Sequence, residues 1–198
     1  MKKVDKLFLI IVGLLVVVGL LIFLSAAMGL LVRDGASFGS IVLKQILFGL
    51  LPGLLLLWGA AKVSPTFWRR RAFYIFIFSL ALTASVFLPG IGFEYGGARR
   101  WLEIFGQSFQ PSELLKIGFV IYFAAWLSGF KARAAEFKYG FLPLVILLAL
   151  VGALILNQPD TDTFLVLFAT GLVMYLAGGG KWRYALALLL VVAVLVVA

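Results

Sequence analysis

Residues 7–32 read LFLIIVGLLVVVGLLIFLSAAMGLLV, an unbroken run without a single charged side chain. A helix that crosses a bilayer needs about 20 apolar residues, within a range of about 17–25. The apolar core of a cleaved signal peptide is only about 7–15 residues long, so this run predicts a first transmembrane helix rather than a leader. Working outward, the same pattern recurs at residues 45–61, 72–93, 139–159 and 163–180, none of which carries a charge. A further span is predicted at 111–130, with Glu113 and Lys116 near its start, and a short last run covers 184–198. The expected fold is therefore all-α: a polytopic membrane helix bundle of six complete transmembrane helices and a truncated seventh. Residues 1–198 are expected to form a single integral-membrane domain, incomplete at its C-terminal end.

Composition agrees. The chain is 64% hydrophobic, with a mean hydropathy of +1.17. A soluble domain of this size could not hide so much apolar surface. It contains neither Cys nor His. That excludes disulfides, thiolate chemistry and the commonest zinc sites, and it removes the usual neutral-pH base. Any general base must be a carboxylate, a lysine or a tyrosine.

The net charge of +9 could suggest nucleic acid, but its distribution points elsewhere. With the N-terminus placed in the cytoplasm, the inner segments hold Lys2, Lys3, Lys6, Lys62, Arg69, Arg70, Arg71, Lys131, Arg133, Lys138, Lys181 and Arg183. The outer segments hold only Arg33, Lys44, Arg99, Arg100 and Lys116, together with six of the eight acids. This is the positive-inside signature of a multi-pass protein of the bacterial cytoplasmic membrane. No nucleic-acid partner is expected, and the short basic inner loops read as plain anchors.

This topology puts two polar segments on the outer face: a loop at about 89–110 and a turn at 157–163. The first holds Gly96-Gly97-Ala98-Arg99-Arg100-Trp101-Leu102-Glu103 and runs into Gln110-Pro111-Ser112-Glu113-Leu114-Leu115-Lys116. Arg99 and Arg100 are permanently charged forks suited to phosphate. Trp101 suits the headgroup boundary. An interfacial anchor gripping generic lipid phosphates would use the same residues. Glu113 and Lys116 are three apart and share a helix face. They form either a packing ion pair or one wall of a polar cavity. Gln158-Pro159-Asp160-Thr161 echoes Gln110-Pro111-Ser112-Glu113, each opening a helix with a proline near the first helical position. Two such N-termini could address one phosphate-bearing headgroup. Asp160 reads as an N-cap for its helix, with Thr163 three residues on. Asp160 and Asp162 together leave a divalent cation open as a cofactor, although their spacing defines no metal site.

Together these motifs resemble the SEDS family of shape, elongation, division and sporulation proteins. Pro89-Gly90-Ile91-Gly92, Gly97-Ala98-Arg99-Arg100-Trp101-Leu102 and Phe109-Gln110-Pro111-Ser112-Glu113-Leu114-Leu115-Lys116 carry the likeness, and Gln158-Pro159-Asp160 followed by Thr163 resembles a second family motif. The resemblance runs the length of the chain, and the Pro-Gly-Ile-Gly lead-in favours the FtsW branch over RodA. It implies a ten-helix peptidoglycan glycosyltransferase that polymerises lipid II, an undecaprenyl-diphosphate-linked disaccharide peptide, on the outer face of the membrane. It also implies a class B penicillin-binding protein as partner. Cationic groups carried over are Arg99, Arg100 and Lys116, with Trp101, Gln110 and Ser112 beside the substrate. Glu113, Lys116 and Asp160 become the catalytic candidates lining the cavity, with no metal ligand among them.

Two departures stand out. The family pattern has Gly where this chain has Asp162, and an αL turn tolerating Asp is the expected accommodation. The family's principal catalytic Asp is expected beyond residue 198, so these residues alone are expected to lack polymerase activity. Two other classes share the motifs: a flippase for the lipid-linked precursor, which needs an inner-facing polar route, and a non-catalytic scaffold docking a division enzyme.

Overall fold

The computed structural model describes residues 6–34, 38–95, 97–104, 107–130 and 133–197. Lys2, Lys3, Gly96 and Lys131, named above, lie outside the described residues. The chain divides into two compact units, one up to Val63 and the other from Ser64 onward.

The first unit holds two helices. Helix α1 is Lys6–Asp34 and α2 is Phe38–Lys62. The second begins before the expected residue 45. Lys44 lies inside it, because a lysine near a helix end can extend its stem along the helix and keep its ammonium in water. Midway, α2 widens into a π turn at Ile46–Leu50, one residue ahead of the Leu51-Pro52 step. Pro52 has no N–H to give the preceding turn, and the wider turn absorbs that defect.

The second unit starts with α3, Pro65–Ala84, continued by a 3-10 turn at Ser85–Phe87. Ser64 caps it, accepting a hydrogen bond from Phe67 N at 3.3 Å, and Pro65 occupies the first turn. This start lies upstream of the expected residue 72. The capping serine and the proline set the boundary, and the arginines at 69–71 sit in the helix rather than before it.

The segment expected to be an outer loop contains a small antiparallel sheet in the order β1–β2–β3: Gly92–Tyr95, Ala98–Ile104 and Gln107–Phe109. Tyr95 pairs with Ala98 across a tight hairpin, and Gly97 takes φ 79°, a turn conformation that favours glycine. The chain then enters α4, Pro111–Gly129, with Pro111 in its first turn.

Helix α5 spans Phe137–Leu156 and repeats the device seen in α2: a π turn, Phe137–Phe141, one residue ahead of Leu142-Pro143. Helices α6, Thr161–Ala177, and α7, Trp182–Val197, complete the unit. Helices α1 to α5 are long and apolar enough to cross a membrane, and α6 and α7 are apolar but shorter. Among the described residues, each of the seven helices overlaps one of the seven predicted spans, although α2 and α3 start earlier than predicted.

The core of the second unit lies where α3, α4, α5 and α6 meet, around Phe76, Leu115, Phe119, Phe123, Leu144, Val151, Ile155, Leu167 and Tyr175. In a bilayer the lipid is as apolar as leucine, so helices are held by close packing rather than by escape from water. Gly118 is a point of close approach between α3 and α4, since a Cβ there would meet the Ser79 hydroxyl.

Candidate functional site

At one end of this unit the sheet and the first turns of α4 and α6 converge on one buried carboxylate. Asp160 is 3% exposed and is the N-cap of α6. Its Oδ1 accepts from Thr163 N at 3.3 Å and lies 3.4 Å from Arg100 Nη1. Its Oδ2 accepts from Gln110 Nε2 at 3.1 Å. Three elements thus supply three donors to one anion. Gln110 holds the N-cap position of α4 but gives no cap bond there, because its amide is committed to Asp160. A buried charge survives only when paired and hydrogen-bonded, and here both oxygens are engaged.

A register irregularity helps aim Arg100. Glu94 pairs with Arg99 and Phe93 with Trp101, so Arg100 is the residue of β2 left without an opposite number. Such a bulge re-aims a side chain. Arg99 keeps to its cross-strand neighbour, with Nε 3.4 Å from Glu94 Oε2, both side chains being about half exposed. The adjacent arginines expected to act as one clamp therefore part: Arg100 turns to Asp160 and Arg99 to Glu94. Trp101 is half-buried opposite Phe93.

On α4, Lys116 Nζ lies 2.9 Å from the Glu113 carboxylate. This is the expected i,i+3 pair, with Glu113 exposed in the first turn, where a negative charge suits the helix dipole. Ser112 is 1% exposed, and its Oγ has no hydrogen-bond partner among the described residues; the same is true of Arg100 Nε.

Sequence reasoning left Gln158 and Thr83 out of the candidate site. Gln158 is 1% exposed and its Nε2 donates to Thr83 O at 3.0 Å. The last carbonyls of a helix lack intrahelical donors, so Gln158 satisfies one at the end of α3 and ties the turn before α6 to it. The signal was the Gln-Pro-Asp echo, but its target was not readable. The echo is also inexact: Pro111 is in the first turn of its helix, whereas Pro159 precedes the cap. Asp162 sits exposed in the first turn of α6 and has no positive φ, so the αL accommodation expected for it is not needed. Among the described residues no three Asp or Glu side chains gather as a metal site.

This geometry defines a class: a multi-helix membrane protein with a charged site built at one end of its bundle by a small sheet and two helix N-termini. A sequence model of the family FTSW_RODA_SPOVE, described as "Cell cycle protein", matches residues 5–198, and the chain belongs to that family. It is a multi-pass membrane protein. The "Probable peptidoglycan glycosyltransferase FtsW" of Geobacter sp. (strain M18) is 34% identical over 159 residues, covering 80% of this chain and 42% of that protein. The protein of the same name from Coxiella burnetii is 31% identical over 179 residues, covering 89% and 48%. The solved rod shape determining protein RodA of Thermus thermophilus superposes with a TM-score of 0.66 at 29% identity, covering 89% of this chain and 58% of that one. A chain from a structure titled "Structural coordination of polymerization and crosslinking by a peptidoglycan synthase complex" also gives 0.66 at 29%, covering 90% and 52%. The chain thus spans less than half the length of these FtsW relatives.

Proposed function

We propose that the chain is part of a peptidoglycan glycosyltransferase of the FtsW branch that polymerises lipid II at the outer face of the bacterial cytoplasmic membrane. Its N-terminus lies in the cytoplasm, and both compact units belong to one membrane domain. The observation that carries this reading is the gathering of Arg100, Gln110 and Asp160 from separate elements, beside the α4 turn that bears Glu113 and Lys116. Glycosyl transfer from a polyprenyl diphosphate needs a base for the attacking hydroxyl and positive charge for the departing pyrophosphate.

In this reading Arg99, Lys116 and the open edge of Arg100 face the diphosphate. Trp101 and Ser112 border the headgroup. Asp160 and Gln110 act as positioning residues, because both Asp160 oxygens are already engaged. Glu113 is the carboxylate with room to meet a substrate, and further catalytic groups come from the remainder of the longer protein. A class B penicillin-binding protein is the partner that would crosslink the product.

The test is glycan chain formation from lipid II by the full-length protein with its cognate penicillin-binding protein. Arg100→Ala is expected to reduce polymerisation more than expression or membrane insertion. Equal loss of all three would favour the lipid-anchor role instead.

A further inference from the structure

The inner loops read from sequence as plain anchors, yet the start of α3 forms a defined recess. It has a volume of about 310 Å³ and is lined by Ser64, Thr66, Phe67, Arg70 and Arg71. All four polar members carry side-chain donors, and neither arginine has a carboxylate within ion-pair distance among the described residues. The nearest stretch of chain, residues 62–72, holds no acid at all. The recess thus presents hydroxyls and two guanidinium forks with no internal anion to neutralise them. Guanidinium groups match phosphate oxygens in pairs.

Position narrows the ligand. Helix α3 has 20 residues, and at about 1.5 Å per residue it runs about 30 Å, the thickness of a bilayer core. Thr83, near its far end, meets Gln158 beside the charged site. The recess therefore lies at the opposite membrane face. Phe67 is a recess wall, exposed and edge-on to Trp68 with ring centroids 5.8 Å apart, an aromatic pair of the sort found at headgroup level.

We propose that this recess binds the phosphate of an anionic phospholipid, with Arg70 and Arg71 on the phosphate and Ser64 and Thr66 donating to its oxygens. The site is separate from the proposed glycosyltransferase site and does not depend on it.

The experiment uses the full-length protein and native mass spectrometry, with phosphatidylglycerol, phosphatidylcholine and inorganic phosphate as probes. Phosphatidylglycerol is expected to be retained in preference to phosphatidylcholine. Each recess arginine would donate charge-assisted hydrogen bonds directly to the phosphate, so Arg70→Gln and Arg71→Gln should each weaken retention about tenfold. Thr66→Val, which removes only a hydroxyl, should weaken it less. Arg69→Gln, equal in charge change but outside the recess, should leave it intact. The proposal is overturned if Arg69→Gln weakens retention as much as Arg70→Gln, which would mean diffuse attraction. It is equally overturned if the two lipids are held alike, or if inorganic phosphate displaces the lipid and binds alone.

Discussion

Arg100 reaches Asp160 from a different element of the fold, Nη1 to Oδ1 at 3.4 Å, and is the only cation paired with that carboxylate among the described residues. The neighbouring Arg99–Glu94 pair has the same separation of 3.4 Å but lies about half exposed on both sides. Equal distances do not imply equal worth. Water screens the exposed pair, while Asp160 has no water to fall back on.

Removing one member of a buried pair costs about 3–5 kcal/mol, whereas exposed pairs contribute about 0.2–1 kcal/mol. Arg100 keeps a third of its side chain exposed, so its loss should fall between those two ranges, nearer the buried one. Arg100→Ala is expected to destabilise by about 2–3 kcal/mol and Arg99→Ala by less than about 1 kcal/mol. Thermal unfolding in detergent checks the order. Asp160→Asn added to Arg100→Ala should recover part of the loss, because the orphaned charge is gone; a strictly additive double mutant would show that the two side chains are not coupled.

Gln158→Leu keeps the bulk of a fully buried side chain but leaves Thr83 O without its donor. An unsatisfied buried polar group costs about 1–3 kcal/mol. The variant should also loosen the turn that presents Asp160. Hydrogen exchange at the start of α6 is expected to rise more than exchange in α5, and uniform change across both helices would contradict this.

Gly118→Ala should drive a methyl into the Ser79 hydroxyl. Overpacking of this kind costs about 1–3 kcal/mol. Ser79→Ala removes the obstructing oxygen, so the double variant should be more stable than Gly118→Ala alone. Because Phe76 Cα and Ser79 Cβ remain 3.3 Å from the new methyl, the rescue is expected to be partial.

These sites differ in how far the sequence reveals them. The spans were legible because charge is excluded from lipid, and among the described residues each of the seven helices overlaps a predicted span. Their starts were less so. Arg69, Arg70 and Arg71 mark the water boundary, but Ser64 and Pro65 mark the helix boundary, and the two need not coincide. The strand Ala98–Ile104 was missed because two arginines and a tryptophan outside the lipid look like a loop by composition. The separation of Arg99 from Arg100 depends on a shift in pairing with β1, and the bond from Gln158 to Thr83 depends on helix packing. Both are tertiary facts that no local pattern encodes.

Between α4 and α5, Arg133 donates to both oxygens of Glu136, at 2.9 and 3.1 Å, and lies over the Tyr139 ring at 3.7 Å. The guanidinium holds the Glu136 carboxyl below its ordinary range. A carboxyl depressed in the folded state stabilises above its unfolded pKa and loses that contribution as pH falls through the folded value. The Tm difference between the natural chain and Glu136→Gln should therefore be constant above about pH 4.5, the ordinary value, and shrink toward zero at lower pH. A difference that grows on acidification would contradict the pairing.

The Glu113–Lys116 pair separates structure from chemistry. It is close, at 2.9 Å, but Glu113 is 56% exposed and Lys116 30%. Exposed helical pairs contribute about 0.3–0.5 kcal/mol, so Lys116→Met and Glu113→Gln should each shift Tm by little. If the pair only braces α4, activity of the full-length protein should follow stability and hardly change. If Lys116 meets the departing pyrophosphate, polymerisation should fall by orders of magnitude while Tm holds, since a removed charge contact in a transition state costs about 10²–10³ in rate. The double variant is diagnostic. A loss no greater than that of either single variant means the two side chains act as one unit. The expected result is a large, non-additive loss of polymerisation at nearly unchanged Tm, which a purely structural ion pair cannot produce.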